Sequence, residues 1–395
     1  MSGCNARVGR QPGVRHVLTL TPFYPSASDE ANGCFISETL SCLEHAGIKN
    51  TVLAVRPVYR GRVRESASAP AARWLHYLAP PSRLGLAISG TCLHAKLLPV
   101  VRRLHAEQPI ELIHAHAALP CGHAAALLSR EMQIPFVVSV HGLDAYSTKQ
   151  VKGFAGRWCQ RVSQMVYRSA RRVICISKRV REEVENRLPG PIPCIVVYNG
   201  VDPGMFFPPE HWVQGESIVL TIGNLISTKG HELLLRAIAK LGDKYSPLRC
   251  EIIGEGPDRT RLGALAEQLR IADRVVFLGR QPRKKVADAL RRCTIFALLS
   301  HYEGLGCVYL EAMATGKPAV GCRGQGIGEI IRSGENGWLV GSGNEQEVTG
   351  ALATLLEDAA LRARLGNAAR RTILDGFTLA HQADQLARVY RECVG

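Results

Sequence analysis

The sequence lacks Cys-x-x-Cys pairs and long uncharged apolar runs. Its 13 cysteines are odd in number, and most of them lie inside apolar segments. This pattern argues against a disulfide framework or a zinc site and predicts reduced thiols in the cytoplasm. The most apolar long window, Leu84–Val101, contains a histidine, a lysine and a proline, which argues against a membrane-spanning helix. The first ten residues have no apolar segment behind them, so we expect no signal peptide.

Acidic residues are scarce in one half of the chain. The sequence has 49 Lys and Arg against 34 Asp and Glu, a formal net charge of +15. Residues 1–205 hold 25 basic and 13 acidic residues, whereas residues 206–395 hold 24 and 21. A basic half beside a nearly neutral half indicates that one half meets an anionic partner. Charge alone allows nucleic acid, an anionic membrane or a phosphorylated substrate, but no nucleic-acid-binding module is recognisable.

Length and periodicity predict an α/β protein. At 395 residues the chain is long enough for two or three domains. Short runs of consecutive apolar residues alternate along the chain with segments of helical periodicity, as expected for parallel strands joined by helices. A Gly- and Pro-rich segment, NGVDPGMFFP, separates two such series. We therefore predict two doubly wound parallel-sheet domains, residues 1–202 and 203–377, followed by a C-terminal helix within residues 378–395.

The stretch 300–329 carries the clearest functional signal, and its sequence is SHYEGLGCVYLEAMATGKPAVGCRGQGIGE. The apolar run 295–299 predicts a buried strand, after which a small-residue loop, Gly304–Gly306, opens a helix. Such a loop binds anions through backbone N–H groups and the helix dipole. Because an anion would repel the flanking Glu303 and Glu311, we interpret both as hydroxyl binders. For either glutamate alone, a solvated helix terminus is the alternative.

The order of these residues resembles a glycosyltransferase signature. Two glutamates eight positions apart with EGLG at the first, then LEAMATGKP and GIGEII, resemble the retaining nucleotide-sugar glycosyltransferases of family 4. Members of that family have two Rossmann-like domains of the GT-B type facing an interdomain cleft. The resemblance covers about residues 14–392. It implies that residues 1–202 bind the acceptor, that residues 203–377 bind the nucleotide sugar, and that the helix in 378–395 returns to the first domain.

The resemblance also implies residue roles in the second domain. Glu303 would contact the transferred sugar, Lys229 the diphosphate and Glu311 the ribose. The predicted donor-binding residues follow strands or open the loop: Gly223, Asn224, Gly279, Arg280, Gly304, Leu305, Gly306, Cys307 and Glu311. The family typically has an arginine where Asn224 stands, so we expect diphosphate neutralisation to depend on Lys229 and the loop amides, with Arg280 or Arg323.

Histidines accumulate in the first domain at positions 114, 116, 123 and 141. They suggest a metal, but no carboxylate accompanies them at ligand spacing, so we predict no metal site. His141 and Asp144 follow the predicted strand 136–140 at its carboxyl end, where open α/β sheets bind ligands. The HG-x-D pattern resembles the family's sugar-contacting histidine, so we predict His141 as catalytic. Asp144 and Gly33 are predicted acceptor or sugar contacts, and an ordinary turn glycine is the equal alternative for Gly33.

These residues predict the transfer of a sugar from a UDP- or GDP-type nucleoside diphosphate sugar to a hydroxyl acceptor, without cofactor or metal. Retention of the anomeric configuration is implied by the resemblance, since no residue is an obvious covalent nucleophile. Fixed donors such as Lys229 can stabilise the leaving diphosphate. The alternatives are an epimerase or phosphorylase of the same fold, a non-catalytic binding subunit, and a glycosyltransferase with a soluble acceptor.

The region 56–103 suggests where the acceptor lies. We predict residues 56–83 to be irregular and basic, with Arg60, Arg62, Arg64, Arg73 and Arg83 interleaved with Tyr59, Trp74 and Tyr77. Leu84, Leu86 and Ile88 add apolar side chains to the same region, 56–103. Segments of that composition lie in the headgroup layer of anionic membranes. The hypothesis is a peripheral enzyme on the cytoplasmic face that glycosylates a lipid-linked acceptor in polysaccharide or glycolipid synthesis. A solvated basic face is the alternative.

Overall fold

The computed structural model describes residues 14–63, 71–81, 83–145, 151, 153–210, 217–245 and 247–394. The chain divides into two compact units. The N-terminal unit contains the described residues up to Asn199 together with the segment from Leu379 onward, and the C-terminal unit contains Gly200–Thr378. The chain passes from one unit to the other after Asn199 and after Thr378, and the predicted boundaries, after residues 202 and 377, lie within three residues of these points.

The N-terminal unit alternates strands with helices. Its elements are β1 (His16–Thr21), α1 (Cys34–His45), β2 (Lys49–Pro57), β3 (Ala72–Tyr77), α2 (Arg83–Glu107), β4 (Leu112–His116), α3 (His123–Met132), β5 (Phe136–Val140), α4 (Gly153–Ser169), β6 (Arg172–Cys175), α5 (Lys178–Glu185) and β7 (Cys194–Val196). The strands form a parallel sheet of order β3-β2-β1-β4-β5-β6-β7. Every residue of β1, β4 and β5 is buried, as expected for central strands covered by helices on both faces.

The C-terminal unit repeats this plan. Its elements are β8 (Ser217–Ile222), α6 (His231–Leu241), β9 (Leu248–Ile253), α7 (Arg259–Gln268), β10 (Val275–Gly279), α8 (Arg283–Arg292), β11 (Ile295–Ala297), α9 (Cys307–Ala314), β12 (Ala319–Cys322), β13 (Trp338–Val340), α10 (Glu345–Glu357) and α11 (Ala359–Gly376). Its strands are also parallel, in the order β10-β9-β8-β11-β12-β13. Two doubly wound parallel-sheet units are therefore present, as the apolar runs predict.

The direction of strand order reverses once in each sheet. The reversal falls between β1 and β4 in the N-terminal unit and between β8 and β11 in the C-terminal unit. Ligands of doubly wound sheets bind beyond the carboxyl ends of the strands at this point. In the C-terminal unit the loops after β8 and β11 touch there, since the N–H of His301 donates to the carbonyl of Thr228 at 2.8 Å. The topology thus places the predicted Lys229 and Glu303 loops side by side.

The last helix, α12 (Leu379–Val394), belongs to the N-terminal unit. It packs on α1 and adds Leu386, Val389 and Tyr390 to the core of that unit. The Oγ1 hydroxyl of Thr39 donates to Oε1 of Gln382 at 3.0 Å. The last helix of the sequence thus completes the core of the N-terminal unit, although the C-terminal unit precedes that helix in the chain.

The structure corrects the prediction that residues 56–83 are irregular. Residues 72–77 form β3, an edge strand parallel to β2. Its pattern was missed because only Leu75 and Tyr77 are buried, whereas Arg73 is exposed, so the strand has no continuous apolar run. The predicted strand 295–299 is also shorter: β11 ends at Ala297, although Leu298 still donates its N–H to Val320 at 3.1 Å.

Two observations on the described part of the chain bear on its chemistry. No disulfide joins any two of the described cysteines, seven of which are buried: Cys121, Cys159, Cys175, Cys250, Cys293, Cys322 and Cys393. None of the described helices is both long and apolar enough to span a bilayer.

Candidate active site

The loop after β11 is shaped by glycines. Gly306 precedes α9 with a φ of 82°, and a Cβ atom there would lie 2.7 Å from the Tyr309 ring. Glycine is needed because that backbone region disfavours other residues and the ring leaves no space. The N-terminus of α9 directly follows this loop, and the positive end of the helix dipole there suits an anion.

A second loop, residues 325–329, supports the first. The backbone N–H of Glu303 donates to Oε1 of Gln325 at 2.9 Å, and the N–H of Gly326 donates to the carbonyl of Glu303 at 3.1 Å. A Cβ atom at Gly326 would lie 1.8 Å from the carbonyl oxygen of Gly304, so the two backbones are in direct contact. The GIGE segment of the resemblance therefore positions the backbone of Glu303 and Gly304.

The carboxylate of Glu303 pairs with Lys229. Nζ of Lys229 lies 2.6 Å from Oε2 of Glu303, and Oγ of Ser300 donates to the same oxygen at 3.3 Å. The side chains of Lys229 and Glu303 are only 21% and 12% exposed. A pair this shielded from water is held much more firmly than a surface ion pair, and removing one partner would leave the other charge uncompensated.

Glu311 pairs with a cation that the sequence did not indicate. Nη1 of Arg283 lies 2.5 Å from Oε1 of Glu311, and their side chains are 15% and 6% exposed. The Arg283 guanidinium also lies 4.8 Å from the ring centroid of Phe206. Arg283 begins α8, and the only sequence signal was its place in the basic run Arg-Lys-Lys at 283–285. The interpretation of Glu311 as a solvated helix-terminus residue is wrong, because its side chain is buried.

The other predicted donor residues lie at the carboxyl ends of the strands of the same sheet. The aliphatic part of Lys229 passes within 3.7 Å of the point where a Gly223 Cβ would stand. Asn224 is exposed in the next position. Gly279 ends β10 and Arg280 follows it, with β9 lying between β10 and β8 in the sheet. Gly223, Lys229 and Glu303 thus come together, and Gly279 and Arg280 lie two strands away.

Three histidines of the N-terminal unit form a buried stack. Nδ1 of His116 lies 3.1 Å from Nε2 of His141, and their rings are nearly parallel at a centroid distance of 5.3 Å. His114 stacks on His116 at 4.3 Å. The two nitrogens of His114 lie 2.7 Å from the Tyr390 hydroxyl and 2.7 Å from the Ser139 hydroxyl. The sequence singled out His141 but could not show that His116 orients it.

Burial keeps this stack uncharged. It lowers the pKa of His141 to about 4 and that of His114 to about 3, and it holds the pKa of His116 well below its usual value. Within the described chain, Nδ1 of His141 has no hydrogen-bond partner. A neutral imidazole with one free nitrogen suits a ligand hydroxyl, since such a nitrogen can donate or accept. No set of three His, Cys, Asp or Glu side chains among the described residues is arranged to hold a metal.

Asp144 and Gly33 lie around His141. Oδ1 of Asp144 accepts the backbone N–H of His141 at 2.9 Å, and burial raises the pKa of the Asp144 carboxyl to about 7. The ring of Phe35 lies 4.9 Å from that of His141. A Cβ atom at Gly33 would lie 2.5 Å from the backbone of Phe23, and Gly33 has a φ of 73°. The chain's own packing therefore accounts for glycine at position 33 without a ligand.

A cavity of about 420 Å³ lies at the start of α6 and does not coincide with these residues. It is lined in part by Thr228, His231 and Arg261, but not by Lys229, Glu303 or Glu311. Its charges are already matched, since Nη1 of Arg261 lies 2.5 Å from Oε2 of Glu232. The chemistry of the side chains therefore favours the Glu303 loop as the candidate site over this larger cavity.

Comparisons with known proteins agree with this geometry. The family model described as "Glycosyl transferases group 1" matches residues 206–372, and "Glycosyltransferase Family 4" matches residues 35–204. A D-inositol 3-phosphate glycosyltransferase of Stackebrandtia nassauensis is 30% identical over 323 residues, 74% of this chain and 71% of the relative. The N-acetyl-alpha-D-glucosaminyl L-malate synthase of Bacillus anthracis is 28% identical over 323 residues, 79% of each chain. The solved structure of Anabaena HepE in complex with UDP and glucose has a TM-score of 0.75 at 20% identity, covering 95% of this chain and 99% of that one.

The fold and these matches define a sugar-transferring enzyme of GT-B architecture. The chain belongs to glycosyltransferase family 4. The predicted family, fold class and enzyme class are confirmed. The matches therefore support a transferase over the alternatives that the sequence left open, which were an epimerase, a phosphorylase and a non-catalytic subunit.

Proposed function

We propose that the enzyme transfers a hexose from a UDP- or GDP-type sugar to a hydroxyl of a lipid-linked saccharide, with retention and without a metal. The observation that carries the proposal is the 2.6 Å pair between Lys229 and Glu303, beside the glycine loop that opens α9. One cation and one carboxylate held together supply what a sugar diphosphate requires. The cation attracts phosphate oxygens, and the carboxylate accepts hydrogen bonds from sugar hydroxyls.

The donor class is supported by the relatives and by Glu311. HepE, which has the same fold, was solved with UDP and glucose. In this chain Arg283 occupies Oε1 of Glu311, which leaves Oε2 to accept a ribose hydroxyl. Because Arg283 also prevents the carboxylate from rotating, the proposed ribose contact is pre-organised.

The transfer step follows from charge development at the diphosphate. The bond between the anomeric carbon and the β-phosphate oxygen breaks, and the acceptor oxygen forms a bond to the same carbon on the same face. The acceptor proton passes to the departing phosphate oxygen. Lys229 and the N–H groups at the start of α9 stabilise the negative charge that grows on the diphosphate. This account needs no covalent enzyme intermediate and no metal.

The N-terminal unit is proposed to bind the acceptor. The free Nδ1 of the neutral His141 is suited to a hydroxyl, and the half of the chain that contains it carries most of the net positive charge. We propose an acceptor at the cytoplasmic face of an anionic membrane, in polysaccharide or glycolipid synthesis. A second candidate is a small anionic acceptor in solution, because the two relatives are named for L-malate and D-inositol 3-phosphate.

The test begins with the donor. Purified protein is incubated with UDP-, GDP- and ADP-sugars, with and without EDTA, and thermal stabilisation and sugar release are measured. We expect one UDP- or GDP-sugar to stabilise and react, with EDTA without effect. NMR of the product at the anomeric carbon tests retention. Product formed with a polyprenyl-linked sugar but not with malate or inositol phosphate supports the lipid acceptor, and the reverse result supports the second candidate.

A further inference from the structure

The outer surface of α4 combines exposed apolar residues with arginines. It consists of six residues, here called the α4 face: Phe154, Arg157, Trp158, Arg161, Met165 and Arg168. Their spacing of 3, 4, 7, 11 and 14 positions from the first places all six on one side of the helix. The three apolar members are 70%, 45% and 41% exposed in chain order, and the three arginines are exposed as well. Large apolar side chains grouped in this way mark an interaction surface.

The opposite side of α4 is fixed in the core of the N-terminal unit. Cys159, Val162 and Val166 are buried there, and the helix packs against α2 and α3. A Cβ atom at Gly156 would lie 2.4 Å from the carbonyl oxygen of Val151, so the start of the helix lies close against the preceding chain. Rotation of α4 to bury Phe154 and Trp158 would expose these core residues. The exposure of the α4 face is therefore a stable feature of the fold.

The sequence segment that contains α4 is basic and lacks acidic residues. Residues 145–181 contain ten Lys and Arg and no Asp or Glu. Arg157 and Arg161 make no hydrogen bond or ion pair with a described residue, and Arg168 donates to the carbonyl of Pro189 at 3.3 Å. Some exposed arginines on other helices differ, because they pair with a carboxylate of their own helix, as in the 2.8 Å pair of Arg181 with Glu185 and the pair of Arg103 with Glu107. The arginines of α4 are thus available for an anionic partner.

We propose that the α4 face docks the enzyme on an anionic lipid bilayer. Aromatic and apolar side chains enter the boundary between headgroups and acyl chains, while arginines bind lipid phosphates. A helix lying in the membrane plane presents this combination on one side, as α4 does. The inference deepens the proposed function, whose lipid-linked acceptor it serves. His141 lies 12 positions before Gly153, the first residue of α4, so the docking helix is close in sequence to the proposed acceptor residue.

This assignment replaces residues 56–103 as the membrane surface. Tyr77 is buried and Trp74 packs against the core of the N-terminal unit, so neither aromatic side chain is free to enter a bilayer. Arg64 lies outside the described residues, as do the side chains of Arg83 and Leu84. Tyr59, Leu78 and Ile88 are 50%, 78% and 45% exposed, but they are not grouped on one helix: Tyr59 lies between β2 and β3, Leu78 follows β3, and Ile88 lies in α2.

Flotation of the full-length protein with vesicles tests the inference. Vesicles of phosphatidylcholine alone are compared with vesicles containing phosphatidylglycerol, at low and high salt. Two variants alter the α4 face: F154S/W158S and R157Q/R161Q/R168Q. The matched control, R332Q/R364Q/R371Q, removes the same charge from exposed positions of the C-terminal unit. A cation near an anionic surface is worth about fivefold in affinity, so the α4 arginine variant should bind on the order of a hundredfold more weakly.

The expected pattern has three parts. Wild type floats with anionic vesicles and is released by salt, both α4 variants lose flotation, and the control changes less than about threefold. Brominated acyl chains should also quench wild type more than W158F. Wild-type protein that ignores anionic vesicles, a control that falls as far as the α4 variant, or unchanged binding of both α4 variants would each overturn the inference. Preferential binding of RNA or DNA oligonucleotides at the α4 face over vesicles would overturn it too.

Donor hydrolysis on the same variants separates this inference from the proposed function. We expect both α4 variants to hydrolyse the donor at the wild-type rate, since the α4 face contains none of the proposed donor residues. If no UDP- or GDP-sugar reacts but flotation follows the expected pattern, the proposed donor is wrong and the docking face stands. If hydrolysis proceeds but flotation is absent, the docking face is wrong and the donor stands.

Discussion

In the C-terminal unit, Glu303 and Glu311 are each paired with a cation, whereas in the N-terminal unit His114, His116 and His141 are held neutral by burial. Glu303 and His141 follow strands of a parallel sheet and His116 ends one, whereas Glu311 lies in α9 and His114 within β4. Each carboxylate of the first group lies within 2.6 Å of a nitrogen of its cationic partner. In the second group, desolvation by burial disfavours the charged form of each imidazole.

The difference indicates a division of chemistry between the units. Under the proposed function, these matched charges would rearrange when the donor diphosphate binds, because Lys229 would exchange a carboxylate oxygen for a phosphate oxygen. A neutral imidazole gives directional hydrogen bonds to hydroxyls without attracting the diphosphate. Substitutions in either unit can therefore alter one kind of chemistry and leave the other in place.

Replacing Glu303 by glutamine should have the largest effect. The carboxylate that is proposed to contact the sugar loses its charge, so turnover should fall on the order of a thousandfold, equivalent to about 4 kcal/mol. Nucleotide affinity should stay the same or rise, because Lys229 is released from its ion pair. Turnover and calorimetric binding of UDP or GDP provide the readouts, with exposed Glu335→Gln as the control. Equal loss of binding and turnover would contradict the roles assigned here.

Lys229→Ala should lower turnover about a hundredfold and nucleotide affinity only about tenfold. The diphosphate gains charge as the bond to the sugar breaks, so the ammonium contributes more in the transition state than in the bound donor. Steady-state rates and nucleotide dissociation constants separate the two effects, and Lys229→Arg should recover part of the rate. Complete loss of wild-type activity on chelation, reversed by a metal, would show that the cation role belongs to a metal.

Glu311→Ala should weaken the donor and the free nucleotide equally. A hydrogen bond to a charged group contributes about 1.5–3 kcal/mol, so affinity should fall about tenfold to a hundredfold. The single change also leaves Arg283 buried without its partner, which lowers stability. The double variant Glu311→Ala/Arg283→Ala should regain stability but not affinity. If affinity returns with stability, Glu311 acts only through folding.

Acidification should destabilise the protein through the histidine stack. Burial lowers the pKa of His141 to about 4. Between pH 6.5 and 4 the unfolded chain therefore binds a proton that the folded chain does not, so the free energy of unfolding decreases as the pH is lowered. The raised pKa of Asp144, about 7, acts in the opposite direction, because there the folded state binds the extra proton. Asp144→Asn removes this opposing effect and keeps Oδ1 as an acceptor for the N–H of His141.

The melting temperature of Asp144→Asn should therefore fall more steeply with acid than that of wild type. One proton of difference is worth about 1.4 kcal/mol per pH unit, or roughly 3–6 °C for a domain of this size. Calorimetry from pH 7 to 4 measures the slopes, with exposed Asp375→Asn as the control that should match wild type. A slope for Asp144→Asn equal to that of wild type would show that Asp144 does not titrate in this range.

Local patterns in the sequence were enough for most of the fold and for one half of the site. Short apolar segments rich in β-branched residues, such as Phe136–Val140, are typical of buried strands, so their type and order could be predicted without tertiary information. The Glu303 loop was also predictable, because its glycines and carboxylates lie within a dozen residues. The edge strand β3 was missed because it is buried on one side only and carries arginine on the other.

Partners distant in the chain were decided by the tertiary structure. Arg283 meets Glu311 across 28 positions and Tyr390 meets His114 across 276, and nothing in the local pattern of either residue specifies that contact. The solvent exposure of individual side chains also depends on the tertiary structure. Trp74 and Trp158 both stand among arginines in the sequence, yet the core of the N-terminal unit packs on Trp74 and leaves Trp158 at the surface. Composition determined that the chain had basic, aromatic segments, but whether an aromatic ring faces solvent depends on which neighbours the fold places over it.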